Sequence, residues 1–214
     1  MGNGSRDPTS RTVFGYVLAG GTSSRFGRDK ALAEVGGRTM LGHMCTLLEA
    51  VVERVAVVGP PQRYAHLGFR VVADRWPGSG PLGGIATALV DAAMEDAGCA
   101  WCLIVGCDLP FLRRDWLDYL VARAARSEAD AVMPVWPRGA EPLCAVYRTS
   151  DASLLAQALD RGVRKITDAL AQAHVETIGP EEWKTFDPEG RLLKNMNTPE
   201  DYEEVKARWA TQGR

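Results

Sequence analysis

The sequence lacks both a long apolar segment and a strong charge imbalance. The apolar run that includes residues 101–105 is far shorter than the roughly 20 residues that a membrane-spanning helix needs. The net charge of -2 gives no sign of a polycationic surface, so we expect neither nucleic acid nor a membrane as a partner. A phosphate-bearing small molecule remains compatible, because such a ligand needs only a local cluster of positive groups.

The amino-terminal segment lacks the apolar core of a signal peptide. It is polar, and Arg6 stands where the myristoylation pattern requires Ser or Thr. We therefore expect residues 1–11 to be a disordered leader and residues 12–214 to form one domain, since 214 residues suit one well-buried unit. The odd number of cysteines, five, indicates reduced thiols and a cytoplasmic location.

Cysteine and histidine patterns typical of metal or nucleophile sites are also scarce. Cys99 and Cys102 form a CxxC motif, but no second pair or suitably spaced histidine completes a zinc site. A redox CxxC should follow a strand, whereas this one precedes the strand expected at residues 102–106. We therefore expect buried, apolar thiols. Of the three histidines, His43 lies on a predicted helix face and the others have no motif around them.

Apolar strands and amphipathic helices alternate along the chain. Strands are expected at residues 13–18, 55–58, 70–73, 102–106, 131–135, 143–147 and 175–178. Helices are expected at residues 40–52, 82–93, 116–121, 151–159 and 163–173, the first capped by Thr39, and a last helix is expected behind Thr198, Pro199 and Asp201. This order predicts an α/β layered fold with a mostly parallel sheet, in which ligands bind beyond the carboxyl ends of the strands.

The loop after the first strand combines glycines, hydroxyls and positive charge. Its glycines, among them Gly20 and Gly21, let backbone N–H groups approach a ligand, and its cations suit a triphosphate. These cations are Arg25, Arg28 and Lys30. A solvated glycine turn is the alternative, but the coincidence of all three features at a strand end favours phosphate binding. The loop does not match the Walker A pattern.

Asp108 follows the strand expected at residues 102–106. A carboxylate leaving a buried strand costs free energy unless it is paired or metal-bound, and hard oxygen ligands suit Mg²⁺. The alternative role is a helix cap before Pro110.

Three further polar residues stand at strand or helix ends. Asp74 closes the third strand and is a candidate for a ribose or base contact, or for a turn cap. Asn195 and Asn197 lie on one face of an extended segment and suit metal, the acceptor or a helix cap. Because Thr198 already fills the capping position, a ligand role is favoured.

Residues 78–83 match G-x-G-x-x-G, the pattern of dinucleotide-binding loops. However, residues 74–77 separate the strand from the first glycine, and Pro81 removes an N–H at the critical position. A substrate- or base-binding loop that includes Gly80 is therefore the better interpretation.

Together these segments resemble the molybdenum cofactor guanylyltransferases, within the wider nucleotidyltransferase fold family. The resemblance runs in order over residues 13–202. It is carried by Leu18-Ala19-Gly20-Gly21, Ser24-Arg25, Gly27, Asp29-Lys30, Ala73-Asp74, Gly80-Pro81-Leu82-Gly83-Gly84-Ile85, Cys107-Asp108-Leu109-Pro110-Phe111, Pro142-Leu143, Ala145, Tyr147, Asn195 and Asn197-Thr198-Pro199-Glu200. Two positions differ: Gly83 stands where the family commonly has Ala, and residues 58–61 lack an Asn that often contacts the nucleotide.

The resemblance implies a three-layer, Rossmann-like nucleotidyltransferase fold and an enzyme that uses Mg²⁺. It implies GTP as one substrate and molybdopterin, with or without molybdenum, as the other, and it leaves transient contact with cofactor-delivery proteins open. The nucleotide contacts implied or expected are Leu18, Ala19, Gly20, Gly21, Lys30, Asp74, Gly80 and Asp108. Arg25, Lys30 and Asp108 are the expected catalytic residues, Asp108 the metal ligand, and Asn195 and Asn197 the acceptor contacts.

Three other functions remain open at this point. They are a cytidylyltransferase of the same fold, a guanylyltransferase acting on phospholactate or a sugar phosphate, and a GTP-binding regulator without catalysis. The presence of Arg25, Lys30 and Asp108 counts against the regulator.

Overall fold

The protein is described by a computed structural model that covers residues 12–20 and 29–212. The expected leader, residues 1–11, lies outside the described residues, and so do Gly21 and Arg25 of the glycine-rich loop.

Ten strands and eight helices make up the described part of the chain. The strands are β1 (Thr12–Leu18), β2 (Glu34–Val35), β3 (Arg38–Thr39), β4 (Arg54–Val58), β5 (Val71–Val72), β6 (Cys99–Gly106), β7 (Ala131–Trp136), β8 (Gly139–Ala140), β9 (Cys144–Arg148) and β10 (Val175–Ile178). The helices are α1 (Met40–Glu49), α2 (Pro61–Tyr64), α3 (Pro81–Glu95), α4 (Arg114–Arg126), α5 (Ala152–Asp160), α6 (Ile166–Ala169), α7 (Pro180–Trp183) and α8 (Pro199–Gln212).

The central sheet is mostly parallel, as the sequence predicts. Its strand order is β10-β7-β9-β6-β1-β4-β5, with β8 paired to β7. Strand β9 runs antiparallel to β6 and to β7, whereas β1 is parallel to both of its neighbours, β4 and β6. The chain leaves β1 toward β4 and β5 and then returns to the opposite side of β1 as β6. This reversal makes the carboxyl ends of β1 and β6 the switch point where ligands bind in such sheets.

Helices cover both faces of the sheet. Alternating side chains of one strand enter different cores: Val17 packs in the core that includes α1 and α4, whereas Tyr16 packs in the core beneath α3 and α5. The central strands are therefore apolar along their whole length rather than alternating. The predicted three-layer α/β architecture is confirmed.

Two helix starts follow their predicted capping chemistry. The Thr39 hydroxyl accepts a hydrogen bond from the Gly42 N–H at 3.1 Å, which starts α1. At α8, Thr198 Oγ1 accepts from the Asp201 N–H while the Asp201 carboxylate accepts from the Thr198 N–H. This reciprocal pair is a capping box, as the sequence predicts.

Several predicted boundaries differ from the structure, and two of the differences change the interpretation of a segment. The strand expected at residues 102–106 begins at Cys99, so the CxxC motif lies inside β6 rather than before it; both thiols are buried. Strand β6 pairs with β1 as far as Cys99, which lies opposite Thr12. This pairing is possible because the register shifts between Thr12 and Val13. The helix expected at residues 163–173 is only the four residues of α6. It ends because the chain must turn to enter the sheet, where the His174 carbonyl accepts from the Asp130 N–H at 2.8 Å.

We expect the substitution Gly59→Ala to destabilise the carboxyl end of β4. A Cβ atom at Gly59 would lie 2.4 Å from the Ala19 carbonyl oxygen, a backbone atom that the sheet holds in place. Overpacking of this kind costs about 1–3 kcal/mol, which thermal unfolding would measure. Gly179→Ala is the control, because its Cβ would meet no atom within 4 Å, and we expect it to change stability by less than about 0.5 kcal/mol. Equal melting temperatures for the two variants would contradict the prediction.

We also expect the substitution Asp151→Asn to stabilise the protein at neutral pH. Burial, with the charge of Asp130 as a smaller cause, raises the pKa of the Asp151 carboxyl to about 6. The folded state therefore binds this proton more tightly than the unfolded state, and stability falls as the pH rises from about 4 to about 6. The gain should be about 1 kcal/mol at pH 7, because solvent screens a carboxylate that is only half-buried. Chemical denaturation at pH 7 and pH 4 measures it; a gain that persists at pH 4 would refute this explanation.

Candidate active site

The candidate site lies where β1 and β6 end side by side. Leu18 and Gly106 are partners in the parallel register, and the Cys107 N–H donates to the Leu18 carbonyl at 3.2 Å. In the sequence, β1 is followed by the glycine-rich loop and β6 by the loop that carries Asp108. The two loops thus start side by side at the switch point, where the strand order predicts a ligand crevice.

Three of the predicted site residues meet in this crevice. The Lys30 ammonium donates to the Asn197 side-chain oxygen at 2.6 Å and lies 3.8 Å from an Asp108 carboxylate oxygen. The Lys30 and Asp108 side chains are only 15% and 23% exposed, so solvent screens their attraction less than at an open surface. We call these three residues the charge cluster. They come from the end of the first loop, the end of β6 and the segment before α8.

Backbone contacts hold Asp108 in this position. Its carbonyl accepts from the Met196 N–H at 2.9 Å, which ties the β6 loop to the segment before α8. A Cβ atom at Gly106 would lie 2.9 Å from Asp108 Oδ1, so a larger residue there would displace the carboxylate. The helix-capping alternative for Asp108 is wrong, because the N-cap of α4 is Arg113.

Lys30 is presented by a short 3₁₀ turn, Lys30–Leu32, that Asp29 caps. One Asp29 carboxylate oxygen accepts from the Ala31 N–H at 3.0 Å, and the other accepts from the Tyr64 hydroxyl at 2.9 Å. Sequence analysis assigned no role to Tyr64. Its partner lies 35 residues away, and no local pattern signals such a contact.

Asn197 enters the charge cluster, whereas Asn195 lies two residues before it. Met196, between them, is fully buried, and Asn197 is exposed. The Asn197 N–H donates to Asp201, so its side chain is not needed to cap α8. Asn195 is half-buried and forms no side-chain hydrogen bond with any residue in the described ranges. Both amides thus remain candidates for a ligand contact.

The structure does not join Asp74 to the charge cluster. One Asp74 oxygen, Oδ1, accepts from the Trp76 N–H at 2.9 Å and from the Thr87 hydroxyl at 3.1 Å, which is the turn-capping role. Its other oxygen has no hydrogen-bond partner among the described residues. A nucleotide contact by that oxygen stays a prediction.

The loop that ends at Gly80 is shaped by two glycines. Gly80 has a φ of +67° and open space around it, so it accepts a left-handed conformation without obstructing a ligand. A Cβ atom at Gly83 would lie 2.8 Å from the Trp76 carbonyl oxygen. This contact leaves no room for the Ala that the guanylyltransferases resembled by the sequence commonly have at this position. Eight residues, 73–80, separate β5 from α3, which agrees with the rejection of a dinucleotide-binding loop.

The first loop begins with buried backbone and then opens. The Ala19 N–H donates to the Val58 carbonyl at 2.9 Å, and Ala19 is almost completely buried. Leu18 packs over Gly84, which has no side chain to displace it. Gly20 is exposed, and a Cβ atom there would meet no described atom within 4 Å. In its described part, the predicted nucleotide loop is therefore accessible at Gly20.

A second carboxyl group, that of Glu141, contributes to the electrostatics of the site. Burial raises its pKa, the Asp108 charge raises it further, and Arg138 lowers it. Sequence analysis missed this residue because no strand end or motif singles it out. Burial also raises the pKa of the Cys107 thiol well above its usual value, so Cys107 is not an activated nucleophile.

The donor set of the crevice fits Mg²⁺ better than a soft metal. Within residues 12–20 and 29–212, no three His, Cys, Asp or Glu side chains are grouped so that they could hold a metal ion. Mg²⁺ does not require such a cage, since it binds one or two carboxylates together with substrate phosphates and water. Asp108 offers a partly buried carboxylate of this kind.

The other sequence-based assignments concern structure rather than ligands. His43 packs edge-on against Trp209, with ring centroids 4.4 Å apart, a contact typical of a structural residue. Within the described chain, no helix combines the length and apolar character that a bilayer crossing would require.

Comparison with known proteins identifies the family of this chain. Residues 15–175 match the model of the MobA-like NTP transferase domain. A probable molybdenum cofactor guanylyltransferase from Pyrococcus furiosus is 35% identical over 91% of this chain and 96% of its own length. One from Deinococcus radiodurans is 36% identical over 90% of this chain and 93% of its own.

Solved structures show the same similarity. Molybdopterin-guanine dinucleotide biosynthesis protein A from Archaeoglobus fulgidus aligns with a TM-score of 0.79 and 25% identity, over 92% of this chain and 99% of the other. A nucleotidyl transferase from Methanothermobacter shares the fold, with a TM-score of 0.69 and 16% identity over 95% of this chain and 100% of its own. The resemblance seen in the sequence is thus confirmed, and the chain belongs to the MobA-like NTP transferase family.

Proposed function

We propose that the protein transfers GMP from GTP to the terminal phosphate of molybdopterin or the molybdenum cofactor, with release of pyrophosphate. The observation that carries this proposal is the charge cluster of Lys30, Asp108 and Asn197 at the switch point of the sheet. A cation for the triphosphate, a carboxylate for Mg²⁺ and an amide for the acceptor lie together there. The relatives are named guanylyltransferase and guanine dinucleotide biosynthesis protein, which supports guanine as the base.

The nucleotide lies, in this proposal, along the first loop. Leu18, Ala19 and Gly20 form its described beginning, and Gly21 and Arg25 continue it outside the described residues. Lys30 neutralises phosphate charge at the other end of the loop. Asp74, through its unbonded oxygen, and the open Gly80 are assigned to the nucleoside.

The chemistry needs charge neutralisation and alignment rather than a general base. The terminal phosphate of the acceptor is already anionic at neutral pH, so it attacks the α-phosphorus of GTP directly and pyrophosphate leaves in line. Asn195 and Asn197 orient the acceptor, and Lys30 and Arg25 stabilise the charge that develops on the phosphates. Asp108 would hold Mg²⁺, which would supply positive charge to offset that of the phosphates.

We also propose that the enzyme works in the cytoplasm and contacts the proteins that deliver its cofactor only transiently. Reduced, buried cysteines fit that compartment.

The activity is tested by pyrophosphate release from purified protein with Mg²⁺ and molybdopterin, comparing GTP, CTP, ATP and UTP. We expect release with GTP alone. Release with CTP instead would identify a cytidylyltransferase of the same fold. GTP binding without release in the presence of molybdopterin would contradict the proposal; adding phospholactate or a sugar phosphate would then separate a different acceptor from a binding-only role.

We expect Asp108→Asn and Lys30→Met each to lower turnover at least about 100-fold, since preorganised charge usually contributes that much to a reaction of this kind. Omitting Mg²⁺ should have a comparable effect on the wild-type enzyme. Asp118→Asn, which removes a surface carboxylate paired with Arg114, is the control and should retain full activity. An Asp108→Asn variant with substantial Mg²⁺-dependent turnover would place the metal elsewhere.

A further inference from the structure

We propose that Tyr64 is a positioning residue of the active site, because it fixes, through Asp29, the turn that presents Lys30 to the triphosphate. This inference rests on the proposed function for the identity of the ligand. Within residues 12–20 and 29–212, the Tyr64 hydroxyl bonds to Asp29 and to no member of the charge cluster, so we assign its effect to Asp29.

Asp29 is the junction of this arrangement, and both of its oxygens are engaged. Oδ1 accepts from the Ala31 N–H at 3.0 Å and so closes the turn that begins with Lys30. Oδ2 accepts from the Tyr64 hydroxyl at 2.9 Å and lies 3.5 Å from the Arg63 guanidinium. A carboxylate that is bonded at both oxygens is held in one orientation. The turn that is bonded to this carboxylate is therefore held in place as well.

Tyr64 is itself immobilised by the core. It is 2% exposed and packs in the core shared by α1 and α4. Its ring lies 3.0 Å from the point where a Cβ atom at Gly59 would stand, so the ring fits closely against the end of β4. Burial and the bond to Asp29 raise the pKa of the phenol, and the hydroxyl remains a donor throughout the neutral range. The hydrogen bond from Tyr64 to Asp29 therefore holds the turn Lys30–Leu32 in a fixed position relative to the central sheet.

Lys30 needs this support because it does not belong to the central sheet. Its side chain is long and flexible, and holding it in one place costs up to about 2 kcal/mol of conformational entropy. Yet its ammonium lies 2.6 Å from the side-chain oxygen of Asn197, a proposed acceptor contact, and 3.8 Å from the Asp108 carboxylate. When the Cα atom of Lys30 is fixed, fewer conformations of its side chain place the ammonium away from the site. Small displacements of such a group cost large factors in rate.

The chain offers a closely matched control for Tyr64. Tyr16 is 1% exposed, and its hydroxyl donates to the Asp91 carboxylate at 2.8 Å, which also binds Arg70. This second tyrosine, aspartate and arginine group packs under α3, away from the charge cluster. The substitutions Tyr64→Phe and Tyr16→Phe remove the same atom from the same chemical setting, and only the first should alter the active site.

A ligand-free measurement tests the positioning directly. Amide hydrogen exchange should show the Ala31 N–H exchanging about tenfold faster in Tyr64→Phe, because the carboxylate that accepts its bond is loosened. Tyr16→Phe should leave the exchange of Ala31 unchanged. Unaltered exchange in a folded Tyr64→Phe variant would overturn the proposal. If that variant does not fold, Asp29→Asn is measured instead, because Asn keeps an oxygen for the Ala31 N–H but replaces the oxygen that accepts from Tyr64. Unaltered exchange of Ala31 in that variant would likewise overturn the proposal.

Turnover and GTP binding then test whether the positioning matters to function. We expect Tyr64→Phe to weaken GTP binding and lower kcat/KM about tenfold, as loss of an orienting partner commonly does. In the Lys30→Met background the same substitution should cost little more, because the residue through which it acts is already gone. An equal loss in both backgrounds would show a general structural effect and refute the inference. If the wild-type protein binds no GTP, the proposed function fails, whereas the exchange measurement still decides the role of Tyr64.

Discussion

The parallel pairing of β1 with β6 is the constraint on which the site depends. It places Leu18 beside Gly106 and so makes two loops leave the sheet from neighbouring points, one with glycines and cations and the other with Asp108. The hydrogen bond from Cys107 to Leu18 extends the pairing to the last residue before the loops part. Because both strands are buried on both faces, this edge cannot shift without disturbing two cores.

Close backbone approach is the second requirement of this edge, and glycine meets it. At Gly59 the neighbouring carbonyl of Ala19 leaves no room for a side chain, and at Gly106 the Asp108 carboxylate occupies the space. At Gly83 a carbonyl of the preceding loop is similarly close. These glycines are buried or tightly contacted, in contrast to Gly20 and Gly80, which leave open space. Glycine therefore allows close packing at the first three positions and leaves space for a ligand at Gly20 and Gly80.

The charged and polar groups of the site come from distant parts of the chain. Lys30 lies between Asp108 and Asn197, and Glu141 adds a carboxyl whose pKa is raised by burial and by Asp108. Partial burial makes these interactions stronger than surface ion pairs and makes an unpaired charge costly. In the proposed reaction, Lys30 binds the triphosphate, Asp108 the metal and Asn197 the acceptor. These three side chains are already close together before any ligand binds.

The sequence by itself determined the alternation of strands and helices, the caps at Thr39 and Thr198, and the positions of Lys30 in the loop after β1 and of Asp108 after β6. These features follow from local periodicity, capping chemistry and the burial of central strands, all of which adjacent residues encode. Only the tertiary structure decided that Asn197 meets Lys30, since 167 residues separate them. It also decided that Asp74 caps a turn, that β6 takes in the CxxC motif, and that Tyr64 holds Asp29. Those outcomes depend on which distant segments the fold brings together, and no short stretch of sequence contains that information.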